Sequence, residues 1–167
     1  MVLQTERLVI RPYSDANRAR MIELLTDERI KDTFMLPDFS TLEEAAAMFE
    51  KLKRLSCSQE HYEKGIYTGG ELIGFVNDVD IKDGSIEIGY VIRPDHQKKG
   101  YATEALSAVI RDLFLKGYRE VRAAAFAGNA ASRRVMEKCG MLLTEEISSI
   151  LYHGKQQQCV HYAIFKD

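Results

Sequence analysis

The sequence predicts an α+β fold with a mixed, mostly antiparallel sheet of about seven strands, flanked by helices. Three observations carry this. Short stretches with a period of two are joined by Gly69-Gly70, Asp83-Gly84 and His153-Gly154, the residue pairs that close hairpins. Two helix-period stretches, 101–116 and 129–138, stand between strands, and a strand–helix–strand crossover joins parallel strands. The 167 residues are 46% hydrophobic and 29% charged, without repeats or linkers, which suits one domain spanning residues 1–167.

In order, residues 7–11 form a short strand closed by Pro12. Ser14 or Asp15 caps a helix to about Leu25, with Ile22 and Leu25 facing inward. A second short helix covers 28–33. Residues 34–39 are apolar but interrupted by Pro37, so they form a loop that packs on something. Thr41-Leu42-Glu43-Glu44 is a capping box for a helix to about Leu55. Strands at 62–68, 71–81 and 85–92 then form an antiparallel meander. The helix of 101–116 ends at Gly117, and the strand of 118–126 lies parallel to that of 85–92. Gly128-Asn129 opens a helix to about Lys138, ended by Gly140. Residues 142–152 and 156–165 form a closing hairpin.

Bulk properties exclude several classes. A net charge of -2 gives no basic surface for direct nucleic-acid binding. No apolar run approaches the ~18 residues of a membrane span, and the N-terminus lacks the apolar region of a signal peptide. Cys57, Cys139 and Cys159 are odd in number and widely spaced, which fits neither a disulfide framework nor a metal site. A reduced, cytoplasmic setting follows. Cys139 lies in an apolar helical stretch and reads as a buried inert thiol. The histidines form no metal pattern, and His153 and His161, near the closing hairpin, read as surface residues.

The chemistry concentrates at residues 91–105. Pro94 stops a strand, residues 95–100 are polar or Gly, and good helix formers begin at Ala102. Backbone N–H groups of this loop meet the positive end of a helix dipole, a place that binds phosphate. Gly100 lets a ligand approach the backbone, Ala102 leaves the next turn unobstructed, and Lys98 and Lys99 add charge. Neither Gly-x-x-x-x-Gly-Lys-Ser/Thr nor Gly-x-Gly-x-x-Gly is present.

What stands here, Gln97-x-x-Gly100-x-Ala102, resembles the pyrophosphate loop of the GNAT acetyltransferases. The opening Thr5-Glu6-Arg7-Leu8-Val9-Ile10-Arg11 resembles the start of that family's RimJ/RimL-like branch, whose named members acetylate N-termini of ribosomal proteins. Ile86-Glu87-Ile88-Gly89-Tyr90-Val91-Ile92 is similar to the family's fourth strand. Asn129-x-x-Ser132 followed by Met136-Glu137-Lys138-Cys139-Gly140 is similar to the branch's last helix. The order of elements agrees over the whole chain.

The resemblance implies an acetyl-CoA-dependent N-acetyltransferase. It moves acetyl to a primary amine, a protein N-terminus or a small-molecule amine, by direct attack in a ternary complex. It also implies a V-shaped split between strands 85–92 and 118–126. The cofactor cradle falls on Gln97, Lys98, Lys99, Gly100, Tyr101, Ala102 and Thr103, and the backbone of Tyr90, Val91 and Ile92 takes the pantetheine arm like an extra strand. These backbone N–H groups can also polarise the thioester carbonyl. Glu87 is the candidate base; the alternative is a solvent-facing Glu sharing a face with Ser85 and Gly89. Many family members place a Tyr where Met136 stands, and Ser132 is the branch's substitute beside the leaving sulfur; the alternative is a first-turn Ser satisfying its own helix. Asn129 fits a pantetheine contact or simply an N-cap. Arg133, Arg134 and Lys138 read as a solvated helix face, or as contacts to the 3′-phosphate. The acceptor pocket draws on residues 34–39 and the strands from 142, and the closing strands can support a homodimer. A reading of another class is a non-catalytic acyl-CoA-binding module.

Overall fold

Two hairpin turns set the frame. Gly69 and Gly70 have φ of 56° and 82°, and His153 and Gly154 have φ of 49° and 73°. Two successive left-handed residues match the twist of the strands they join. The computed structural model describes residues 2–167. Its strands are β1 (Leu3–Gln4), β2 (Val9–Arg11), β3 (Glu63–Thr68), β4 (Glu71–Lys82), β5 (Ser85–Ile92), β6 (Glu120–Phe126), β7 (Leu142–Tyr152) and β8 (Lys155–Phe165). Its helices are α1 (Arg18–Leu25), α2 (Glu28–Lys31), α3 (Leu42–Ser56), α4 (Tyr101–Leu115) and α5 (Ala130–Lys138).

The strands hydrogen-bond in the order β1-β2-β3-β4-β5-β6-β8-β7. Among the described residues there are eight, one beyond the seven or so expected. The addition is β1, which pairs antiparallel with β2 through Leu3↔Ile10 and Gln4↔Val9. Two residues are too few for an alternation to be read. The crossover through α4 gives the expected parallel pair, with Ser85↔Glu120, Ile86↔Val121 and Glu87↔Arg122. This ladder stops at Glu87, whereas β6 keeps pairing with β8 as far as Phe126↔Cys159.

The chain forms two compact units. The first runs to Asn77 and resumes at Tyr90–Ala105. Its core gathers Met21, Leu24, Ile30, Phe49, Tyr67 and Phe75, with Phe34 and Phe39 of the proline-broken loop packed against it. Buried polar groups are tied down: the Tyr13 hydroxyl donates to Glu63 at 2.5 Å, and Tyr67 donates to Asn17 at 2.8 Å. Burial, and then the Glu63 carboxylate, push the Tyr13 hydroxyl well above its ordinary pKa. Thr41 caps α3, accepting from Glu44 N–H at 3.2 Å, while the Glu44 carboxylate reaches Ser40 N–H. At Gly74 the strands β4 and β5 come so close that a Cβ would lie 2.0 Å from the Val91 carbonyl oxygen.

The second unit comprises Asp78–Gly89 and Leu106–Asp167. Ile86, Leu106, Val109, Leu113, Val121 and Met136 are buried in it. Within β8 every residue from Cys159 to Ala163 is buried, while β7 leaves Leu142, Leu143, Ile147 and Leu151 exposed. Among the described residues no helix is long and apolar enough to cross a membrane, and no group of three or more His, Cys, Asp or Glu is placed to hold a metal ion.

Candidate functional site

In the first unit, β5 ends at Ile92 and the chain makes a 3₁₀ turn, Pro94–His96. Arg93 N–H donates to Ile73 O at 2.7 Å, fixing where the strand stops. The Gln97 side chain donates back to Ile92 O at 2.8 Å, which ties the loop to the strand end. Lys98 and Gly100 then both take left-handed conformations, φ 62° and 81°. The first i→i−4 bond of α4 runs from Glu104 N–H to Gly100 O at 3.1 Å. The amides of Tyr101, Ala102 and Thr103 therefore precede the helical ladder. Two left-handed residues ahead of such a turn make a concavity lined by backbone N–H groups. That donor set, with Lys98 and Lys99 exposed beside it, fits a pyrophosphate.

The loop is braced from the N-terminal segment. Arg7 Nε donates to Glu104 Oε2 at 2.7 Å and Arg7 Nη1 to Lys99 O at 2.8 Å. The Arg7 guanidinium lies over the Tyr101 ring, 4.6 Å from its centroid. Glu104 Oε1 accepts from Thr5 Oγ1 at 2.6 Å and Arg7 N–H at 2.8 Å. Burial raises the Glu104 pKa, but these hydrogen bonds outweigh it and hold the carboxyl below its ordinary value. Sequence reasoning missed this brace. A first-turn acidic residue is visible in the sequence, but its partner lies 97 residues away.

The second unit holds the other candidates. Glu87 is half-buried, at the last rung of the β5–β6 ladder opposite Arg122. Arg122 pairs with Glu120 at 3.0 Å and with Glu146. His161 is buried rather than on the surface, because β8 runs between β6 and β7. Its Nε2 lies 2.8 Å from Ser148 Oγ and 3.9 Å from Glu146 Oε1. The Cys159 thiol is pushed up by burial and, to a smaller extent, by Glu87. Burial likewise raises the Cys139 thiol. Neither is an activated nucleophile.

Asn129 is the N-cap of α5: its Oδ1 accepts from Ser132 N–H at 3.1 Å. Ser132 itself is half-buried. Met136 is fully buried in the core, which explains an apolar residue on that turn. Arg133 does not belong to a solvated face; it donates to Tyr162 OH at 3.2 Å and Ala127 O at 3.0 Å. Arg134 and Lys138 are exposed.

Comparison with known proteins agrees with this arrangement. Residues 7–142 match the model of the acetyltransferase (GNAT) domain. The chain is 26% identical to the uncharacterised N-acetyltransferase YoaA of Bacillus subtilis, over 99% of this chain and 97% of that protein. It superposes on a GNAT-family acetyltransferase from Bacillus anthracis with a TM-score of 0.82 at 25% identity, covering 99% of this chain and 98% of that one. The fold is shared with the ribosomal L7/L12 alpha-N-protein acetyltransferase RimL in complex with coenzyme A, TM-score 0.84 at 16% identity, covering 99% and 98%. Together, the strand–loop–helix cradle and the family match over four-fifths of its length show that the chain belongs to the GNAT acetyltransferases and is an N-acetyltransferase that uses acetyl-CoA.

Proposed function

We propose that the whole chain works as one acetyltransferase domain, and that its acceptor is the free N-terminal amine of a peptide or protein. The observation that carries the acetyl-CoA-dependent reading is the loop itself, left-handed at Lys98 and Gly100 ahead of the first turn of α4. The protein-directed reading rests on the opening Thr5-Glu6-Arg7-Leu8 and on Ser132, both similar to the RimJ/RimL-like branch, and on the fold shared with an enzyme that modifies L7/L12. A small-molecule amine is the second reading, since the same branch resemblance covers enzymes acting on such acceptors.

In this proposal the backbone N–H groups of Gln97 to Thr103 hold the phosphates, and Tyr90 and Ile92 align the pantetheine arm by main-chain hydrogen bonds, with Val91 between them. The bound cosubstrate supplies an acetyl thioester, whose thiol leaves readily because its pKa is near ~8.5. Alkyl amines are mostly protonated at pH 7, so the amine must lose a proton before it attacks. Glu87 takes that proton, directly or through water. Ser132 donates a hydrogen bond to the departing sulfur. Asn129 uses Oδ1 for its cap and keeps its side-chain NH2 as a donor toward the arm. Three free cysteines, with the two inner ones raised in pKa, suit a reducing, cytoplasmic setting.

The test is release of free thiol from acetyl-CoA across a panel of amines that includes peptides with free and blocked N-termini. Turnover with free but not blocked peptides supports the proposal. Turnover confined to small amines transfers it to the second reading. Tight coenzyme A binding without turnover on any amine would leave an acyl-CoA-binding module.

A further inference from the structure

The carboxylate of Glu104 poses a problem for anion binding. It stands in the first turn of α4, where an acidic side chain ordinarily folds over the helix N-terminus and neutralises its positive end. Beside a bound pyrophosphate the same charge would repel the ligand. Both of its oxygens are instead drawn onto the N-terminal segment, by Thr5 Oγ1, Arg7 N–H and Arg7 Nε at 2.6, 2.8 and 2.7 Å. The same guanidinium holds the Lys99 carbonyl at 2.8 Å, so one side chain grips the loop on either side of Gly100. Its Nη2 lies 3.2 Å from where a Cβ on Gly100 would stand. Among the described residues this Nη2 has no hydrogen-bond partner. The Arg7 side chain is 42% exposed and Glu104 only 18%.

We propose that Arg7 is a positioning residue for coenzyme A phosphates: it locks the left-handed turn at Gly100 and cancels the Glu104 charge that would otherwise face the ligand. This rests on the reading of loop 97–103 as the phosphate cradle. A planar guanidinium suits both tasks, because its fork reaches a carboxylate and a carbonyl at once. Lysine offers a single point of charge and cannot span both.

The experiment measures dissociation constants for two probes, coenzyme A by calorimetry and pantetheine, which lacks the phosphates, by competition. The wild type should prefer coenzyme A by well over tenfold. Arg7→Met should weaken coenzyme A by about tenfold, near the worth of one charge-assisted hydrogen bond, and narrow the preference by the same factor. A merely structural defect would weaken both probes together. Adding Glu104→Gln to Arg7→Met should restore at least about threefold of the lost affinity, because the unscreened charge is gone. If Arg7→Met does not fold, Arg7→Lys carries the test, with an expected loss of about threefold. A wild-type preference that survives intact in the Arg7 variant overturns this proposal alone, and so does a double variant weaker than the single one. A wild type that binds pantetheine as tightly as coenzyme A overturns the phosphate-cradle reading itself.

Discussion

The molecule has two helices whose N-termini are candidates to face a ligand, and they are finished in opposite ways. In α5 the helix caps itself, with Asn129 Oδ1 accepting from Ser132 N–H at 3.1 Å. In α4 the nearest acidic side chain is pulled away, its two oxygens held by Thr5 and Arg7. The α4 turn also follows two left-handed residues, whereas Asn129 has an ordinary φ of -82°. An N-terminus whose own side chains satisfy it offers the outside world a side chain. One whose side chains are held elsewhere offers its backbone. The same macrodipole thus serves stability in α5 and, in the function proposed above, binding in α4.

The largest expected effect comes from closing the open end. Gly100→Val places a branched side chain at φ 81°, beside Arg7 Nη2. Coenzyme A affinity should fall by at least about a hundredfold in a protein that still melts cooperatively, because the left-handed turn strongly disfavours a β-branched residue. Unchanged affinity by calorimetry would mean that α4 is not the binding end. Glu87→Gln separates chemistry from binding. Turnover at neutral pH should drop by about 10²-fold, the range of a general base, with coenzyme A affinity retained. The loss should shrink as pH rises and the amine becomes neutral without help; a pH–rate profile parallel to the wild type would make Glu87 structural.

Ser132→Ala should slow turnover by no more than about tenfold, the scale of one hydrogen bond to an already good leaving group. Single-turnover rates with acetyl-CoA measure it. Asn129→Ala should cost about 1 kcal/mol of stability in urea denaturation, as loss of a cap does, and Asn129→Asp should retain that stability. If Ala is as stable as the wild type, the contrast between the two helices fails. The smallest effect lies at acid pH. Because the folded state holds the Glu104 carboxyl below its ordinary value of 4.5, its contribution is present above that pH and disappears as pH falls through the lower folded value. Glu104→Gln should therefore flatten the decline of Tm below about pH 4.5 and leave the slope between about pH 6 and 8 alone.

Both helix ends were partly legible in the sequence. Gly100 and the Asn129–Ser132 spacing are local signals, read within one turn of chain. The long strands and the parallel crossover were legible for the same reason, since turn pairs and periodicity are local. What escaped depends on distant partners. Arg7 reads as the charged first residue of a strand over 7–11; the strand begins only at Val9, and Arg7 turns instead to Glu104, 97 positions on. His161 looks like a surface residue when all that is known of it is its place near the closing hairpin. Its burial follows from β8 running between β6 and β7, with every residue from Cys159 to Ala163 buried. The strand β1 is too short to show a pattern at all.

Gly74 shows how severe a constraint can be without any chemistry behind it. With a Cβ there only 2.0 Å from the Val91 carbonyl oxygen, neither of two paired main chains has room to yield. In a scan that tries all twenty residues at every position, this glycine should tolerate nothing, while Lys98 and Lys99, exposed on the loop before α4, should accept many replacements. A ranking of positions by intolerance would then put a steric contact above the residues proposed to meet the ligand. Survival counts alone would point to the wrong place; only dividing them by folded protein would return attention to the loop.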